Sequence, residues 1–306
     1  MTDPKLSIVV TIVDGGIYLR NFLAACAQME DTPPLELIVP YDASVADVLE
    51  YAEEFPDVNF LELGEIIPER PITTEAGQHE LFDRRRAAGL AAATGEIIAI
   101  LEDRGHPQKD WARTVIRLHA ETGCAVIGGA IECLEPVGLL NWAFYVTDFG
   151  RYGRPFDTTD DAEWVSDVNV TYTRKTLEDT RHLWQERFRE PVVHWFLINR
   201  GDKLLLSNEL VVDHIRPPAT LGHLLPERFH WGRLFGHIRA VHLPTWKRLM
   251  YIATAPIIPP VLWVRHFLTQ AQKGRGLRYL AALPYVMILT IFWTAGEAWG
   301  TITKKP

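Results

Sequence analysis

Residues 86–111, RAAGLAAATGEIIAILEDRGHPQKDW, constrain this chain more than any other stretch. An Ala-rich run led by Arg86 has helical composition and stops at Thr94-Gly95. Ile97-Ile98-Ala99-Ile100-Leu101 follows, a continuous apolar run of the kind buried on both faces of a parallel sheet. It delivers two adjacent acids, Glu102 and Asp103, to its carboxyl end, before a loop with Pro107 and Trp111. Ligands of open α/β sheets bind just outside the carboxyl ends of strands. Two carboxylates there suit a hard divalent cation shared with phosphate oxygens. The expectation is an enzyme that handles a phosphate-bearing donor.

The same alternation extends both ways. Leu6–Thr11 and Leu35–Pro40 are short β-branched runs that read as buried strands. Helical spacing covers 17–29, a helix is expected over roughly 45–54, and a third strand at 58–63. Beyond Trp111 come a helix to about His119, strands at Ala125–Ile131 and Ser166–Tyr172, and helical segments at 174–189 and 190–200, the last stopped by Gly201. Short strands are expected at Lys203–Leu206 and Leu210–Asp213. Strands alternating with helices predict an α/β fold with a mostly parallel sheet flanked by helices. The aromatic-rich 134–162 segment reads as irregular, a functional loop or lid.

Charge divides the chain. Residues 226–306 hold eleven Lys/Arg against Glu227 and Glu297, a balance of +9, and the remaining 1–225 carry −17. Two apolar stretches, 249–264 and 279–295, lie in the basic tail, and a membrane span needs ~20 apolar residues. The expected organisation is a catalytic domain over 1–225 and membrane-associated helices over 226–306. The first stretch is expected in the interface, the second spanning or interfacial, on an anionic surface. Core helices of a soluble domain are the alternative, against which Pro259-Pro260 and Pro284 weigh. Nucleic acid is disfavoured, because the bases are interleaved with long apolar runs. Cys26, Cys124 and Cys133 show no CxxC spacing and read as reduced thiols. MTDPK leads into a strand with no signal peptide, so the catalytic part is expected on the cytoplasmic face of the membrane.

Four blocks in order resemble the family 2 glycosyltransferases, which share the GT-A fold, a Rossmann-like nucleotide-diphospho-sugar transferase architecture. They are SIVVTIVDGGIYLRNFL, LELIVPYDAS, RAAGLAAATGEIIAILED and FREPVVHWFLINRGDKL. The resemblance spans roughly residues 5–216, with a weaker echo to about 240 in the run ERFHWGRLFGHIR. It implies an inverting transfer of a sugar from a nucleotide-diphosphate sugar, with Mg²⁺ or Mn²⁺ as cofactor. A lipid-linked or cell-envelope glycan acceptor is expected from the tail and the aromatic segment.

The resemblance also implies roles. Thr11 and Asp14 close the first strand over the nucleotide, Asp42 contacts base or ribose, and Arg86 lies near the donor phosphates. Glu102 and Asp103 occupy the metal motif, with Asp103 as direct ligand, Glu102 as its partner on the donor side, and His214 completing the site. Glu190 is the catalytic base, with Glu186 as fallback, and the helix dipole is expected to keep Glu190 ionised. Asp167 and Asn169 line the acceptor side. Arg228 and Arg233 reach either the diphosphate or lipid head groups. Tyr41 and Arg104 stand where the family pattern has acids. Two rivals follow: a nucleotidyltransferase on a related scaffold, which the lack of a P-loop disfavours, and a non-catalytic scaffold protein with a decayed site.

Overall fold

The computed structural model describes residues 5–134 and 137–305. The start of MTDPK therefore lies outside the described residues. The apolar runs form one sheet. Its strands are β1 (Leu6–Thr11), β2 (Leu35–Tyr41), β3 (Asn59–Glu62), β4 (Ile97–Glu102), β5 (Gly105–Pro107), β6 (Val126–Cys133), β7 (Asn169–Thr173) and β8 (Leu204–His214). The order across the sheet is β3-β2-β1-β4-β7-β6-β8-β5.

Strands β3, β2, β1 and β4 run parallel. β7 is antiparallel to β4 and β6, and β5 to β8. The sheet is thus mixed, which corrects the expectation of a mostly parallel one. The two-residue link Asp103-Arg104 carries the chain from β4 into β5, which pairs with β8 and not with β4. β8 is one continuous strand where two were expected. Its polar middle, Ser207-Asn208-Glu209, reads as a turn, but Asn208 is held extended by Thr158 and by the Phe156 carbonyl.

The helices are α1 (Gly16–Ala27), α2 (Glu75–Ala92), α3 (Trp111–Thr122), α4 (Leu139–Asp148), α5 (Arg174–Asp179), α6 (Arg181–Trp184), α7 (Glu190–Arg200), α8 (Leu221–His242), α9 (Thr245–Thr254), α10 (Ile258–Gln272) and α11 (Gly276–Thr303). A 3₁₀ helix covers Ala43–Tyr51, where a regular helix was expected. α4 corrects the reading of 134–162 as irregular. Trp142, Tyr145 and Val146 recur at helical spacing and are buried in an apolar cluster with Leu224, Tyr279 and Val286.

The chain forms two compact units. The first comprises Met1–Glu69, His79–Glu132 and Arg154–Ile215, and its core joins Val9, Ile38 and Ile100 of the sheet to Leu90, Val193 and Leu197 of the helices and to Phe188 just before α7. The turn between α2 and β4 is fixed by polar groups. Ser7 Oγ accepts from Gly95 N–H at 2.7 Å and donates to Glu36 Oε2, which also accepts from Thr94 N–H. A Cβ on Gly95 would collide with the Ser7 backbone, so the Thr-Gly pair is what lets β4 start here.

The second unit comprises Arg70–Gln78, Cys133–Gly153 and Arg216–Pro306. α8 and α11 cross so closely that a Cβ at Gly232, Gly236, Gly296 or Gly300 would meet backbone of the other helix. Small residues four apart on both helices allow this approach. Pro259 and Pro260 open α10, where a missing N–H costs nothing, and Pro284 lies inside α11. Among the described residues α11 is the one helix long and apolar enough to cross a membrane. Trp246, Leu249 and Met250 on α9, Val261, Val264 and Leu268 on α10, and Leu277, Leu280 and Ile291 on α11 are exposed.

Candidate active site

The first unit gathers five of the expected site residues at the carboxyl ends of β1 and β4. Thr11 and Glu102 are register partners on these strands. Arg86, from α2, donates Nε–H to Thr11 Oγ1 at 3.1 Å and pairs through Nη1 with Asp167 Oδ2 at 2.6 Å. Asp167 N–H donates to Glu190 Oε2 at 3.4 Å. Glu190 is the first residue of α7, and Pro191 behind it suits a helix start. Thr11, Arg86, Asp167 and Glu190 thus form one chain of contacts, with Glu102 close enough to feel both Arg86 and Asp167.

Acids crowd this place, and burial raises their proton affinity. Glu190 is pushed well above the usual carboxylate range, first by burial and then by the Asp167 charge. The helix dipole does not outweigh these two effects, which corrects the expectation of a lowered value. Glu102 is pushed up to about 8 by burial and by Asp167, against the pull of Arg86 and Arg104. One turn along α7, His194 is fully buried, its Nε2 bonded to the Tyr172 hydroxyl at 2.8 Å. Burial drives its pKa down to about 3, so it stays neutral beneath Glu190.

Sequence reasoning missed Asp83 and Arg189. Asp83, on α2, accepts from Arg189 Nε at 3.2 Å, and its carbonyl accepts from Phe188 N–H at 2.9 Å. These bonds hold the segment leading into α7, and so the position of Glu190. A signal was present in the FDRRR run, where Asp83 and Arg86 lie three apart on one helix face.

Other expected residues have different partners. Asp103 is fully buried, and its Oδ2 accepts the backbone N–H groups of Val13 (3.1 Å), Asp14 (3.1 Å) and Gly15 (2.7 Å). Gly15 has φ +65°, in the left-handed region that lets the β1–α1 loop turn its N–H groups inward. Burial pushes Asp103 up to about 6 against the pull of these N–H groups. Asp14 is held by Arg104, whose Nε and Nη2 donate to its two oxygens at 2.6 and 2.7 Å. Asp42 is buried, capping Ser44 N–H and paired with Arg85 Nε at 2.8 Å. Asn169 does not join the cluster. It is fully buried, and its amide serves Trp111 Nε1 and the carbonyls of Ala130 and Leu210. His214 is buried at the end of β8 opposite Gly105, and Glu186 is exposed between α6 and α7.

Arg228 and Arg233 belong to the second unit. The Arg228 guanidinium pairs with Asp148 and lies over the Phe144 and Trp293 rings. Arg233 Nε donates to the Lys305 carbonyl at 3.3 Å.

The expected cation, Mg²⁺ or Mn²⁺, needs several oxygen or imidazole ligands that converge. Asp103 has one oxygen spent on three N–H groups and the other, Oδ1, buried without a hydrogen-bond partner. Arg104 stands where a further acid would be needed. Among the described residues no three acid, His or Cys side chains are grouped to hold a metal ion. The donor set of Glu102, Asp103 and His214 does not fit the cation.

No protein-family model matches the chain, and no curated protein matches it. Solved structures do share its fold. A mannosyltransferase from Pyrobaculum calidifontis, in complex with GDP-Man and Mn²⁺, is 14% identical with TM-score 0.58, covering 98% of this chain and 88% of that one. Residues 1–349 of S. aureus TarS, in complex with UDP-GlcNAc, are 13% identical with TM-score 0.53, covering 98% and 90%. The chain has a fold shared with glycosyltransferases.

Proposed function

We propose that this protein is an inverting, family 2 glycosyltransferase of the GT-A type, moving a sugar from a nucleotide-diphosphate sugar to a lipid-linked or cell-envelope acceptor. The observation that carries this reading is the chain of contacts Thr11–Arg86–Asp167–Glu190 at the carboxyl ends of β1 and β4. It sets a strongly basic carboxylate beside a guanidinium, the pair that activating a hydroxyl and expelling a phosphate requires. The two structural relatives support a nucleotide-sugar donor, since one is complexed with GDP-Man and the other with UDP-GlcNAc.

In the reaction, ionised Glu190 takes the proton of an acceptor hydroxyl. The acceptor oxygen bonds to the anomeric carbon from the face opposite the leaving group. The bond from that carbon to the diphosphate oxygen breaks, and its electron pair leaves with the nucleoside diphosphate. Arg86, held by Thr11 and Asp167, offers its remaining Nη2 to the departing phosphate. Asp167 raises the basicity of Glu190 while orienting Arg86. No step is routed through a divalent cation, because the residues present do not fit one.

The second unit supports a membrane-bound acceptor. Its exposed apolar residues on α9, α10 and α11 are side chains of the kind that can meet lipid. On this reading the catalytic unit works at the cytoplasmic face, with α11 spanning the membrane or lying in its interface.

A second reading, a non-catalytic member with a decayed site, is favoured by one observation: Asp103 is spent on the β1–α1 loop. Isothermal titration of the detergent-solubilised protein with UDP and GDP, followed by turnover of the matching sugar donor, separates the two. Binding of one nucleotide and its release from the donor are expected. Binding without turnover by wild type would favour the scaffold reading. Glu190→Gln should bind like wild type and transfer no sugar, and an unchanged rate would remove Glu190 as the base.

A further inference from the structure

A donor diphosphate brings negative charge into a place already rich in carboxylates. The usual sources of compensation are closed here. A cation lacks its ligand set. The backbone N–H groups of Val13, Asp14 and Gly15, which could cradle a phosphate, all point at Asp103 Oδ2. The nest is already filled by an internal anion.

On the reading that the donor is a nucleoside-diphosphate sugar, we propose that Arg104 stands in for the divalent cation and, with Arg86, binds the diphosphate and stabilises it as it leaves.

Arg104 lies in the two-residue link from β4 to β5, and its position is fixed from both ends. Its carbonyl accepts Ile215 N–H at 2.8 Å. Its guanidinium is clamped by Asp14 at 2.6 and 2.7 Å through Nε and Nη2, and Asp14 itself sits on the loop that Asp103 pins. Asp14 takes one edge of the fork, and the Nη1 side remains. Arg86 is placed alike, with Nε on Thr11, Nη1 on Asp167, and Nη2 remaining. Both guanidinium groups act on Glu102, the residue at the end of β4. Two forks therefore flank one strand end, each already held by a carboxylate. A planar guanidinium matches phosphate oxygens as a hard cation does. Groups held before the reaction need no rearrangement when charge develops on the leaving oxygen. Arg104 thereby explains two departures at once. The residue that replaces an acid is a cation, and the acid beside it is freed to anchor the loop.

The test is titration of the full chain in detergent with UDP and with GDP, in EDTA and in Mn²⁺, together with the electron paramagnetic resonance of Mn²⁺ added alone. One nucleotide is expected to bind with the same dissociation constant in EDTA and in Mn²⁺, and the Mn²⁺ signal should stay that of the free ion. Arg104→Met should weaken that binding by about tenfold or more, the loss of a charge-assisted hydrogen bond. Arg104→Lys keeps the charge beside Asp14 should the Met variant unfold, and it should bind more weakly than wild type with no gain from Mn²⁺. Binding that appears only with Mn²⁺, or an Arg104→Met protein that folds and binds like wild type, would overturn the proposal while leaving the donor reading in place. A folded wild type that binds neither nucleotide, with or without metal, would remove the donor reading and this proposal with it.

Discussion

Replacing Asp103 tests whether this residue builds the site or binds within it. In Asp103→Ala, the N–H groups of Val13, Asp14 and Gly15 lose their shared acceptor. Gly15 is buried, and its bond, at 2.7 Å, is the shortest of the three. An unsatisfied buried donor costs about 1–3 kcal/mol. Val13 is half-buried and Asp14 exposed, so water recovers part of the loss at those two N–H groups, leaving about 0.5–1.5 kcal/mol each. The sum is about 4 kcal/mol, a large part of an ordinary domain's stability. Asp103→Asn keeps an oxygen for the three N–H groups, so its loss should be at most about half as large. Acidity adds a second signature. Burial raises Asp103 from its ordinary 3.8 to about 6. Wild type therefore holds this contribution fully below 3.8 and loses it as pH rises through about 6. Asn does not titrate, so its deficit against wild type should narrow over that window. Urea denaturation of both variants between about pH 4 and 7.5 reads both effects. An Asp103→Ala protein with the wild-type midpoint would refute the loop-anchor reasoning and make Asp103 a free ligand again.

The pH profile of kcat/KM should rise toward alkaline pH, because Glu190 must be ionised to accept a proton and its pKa is raised. Asp167→Asn removes the neighbouring negative charge, so its rising limb should move to lower pH, and a limb that stays put would separate the two residues. Asn169→Leu strands Trp111 Nε1 and two buried carbonyls. It should cost about 2–4 kcal/mol in urea denaturation and leave nucleotide affinity unchanged, whereas a direct acceptor role would show as a raised acceptor KM in a protein of normal stability. Gly300→Leu would drive a side chain into the Arg233 carbonyl. A loss of about 3 kcal/mol, read as an earlier thermal transition in detergent, is expected there and not for Leu277→Ser on the exposed side.

Much of the parallel half of the sheet was legible, because β1, β2 and β4 are short, mostly apolar runs rich in Ile and Val, and Glu190-Pro191 and Gly201 mark both ends of α7. The antiparallel half was not. Strand direction depends on where a connection leads, and residues 103–104 and 134–168 have no pattern that states it. α4 was hidden because a run of aromatic residues suits an irregular segment as well as a helix. Glu102 and Asp103 look alike as neighbouring acids, yet successive residues along an extended chain face opposite ways. One acid could join the cluster and the other had to turn inward, a signal carried by their adjacency in the sequence. Half-buried Asp83 and buried Arg85 lie beside Arg86 in one run of charge, and only three dimensions separate their tasks. Gly232, Gly236, Gly296 and Gly300 carried a readable four-residue spacing that announces close helix packing.

The central claim is that Glu190 activates an acceptor against a nucleotide-diphosphate sugar. Its most direct test is release of nucleoside diphosphate from a panel of UDP- and GDP-sugars, with and without an extract of membrane lipids, by wild type and by Glu190→Gln. The account predicts release from one donor, stimulated by the lipid extract and abolished in Glu190→Gln, which still binds the nucleotide. Equal release by the two proteins, or no release from any donor by a wild type that binds nucleotide, would contradict it.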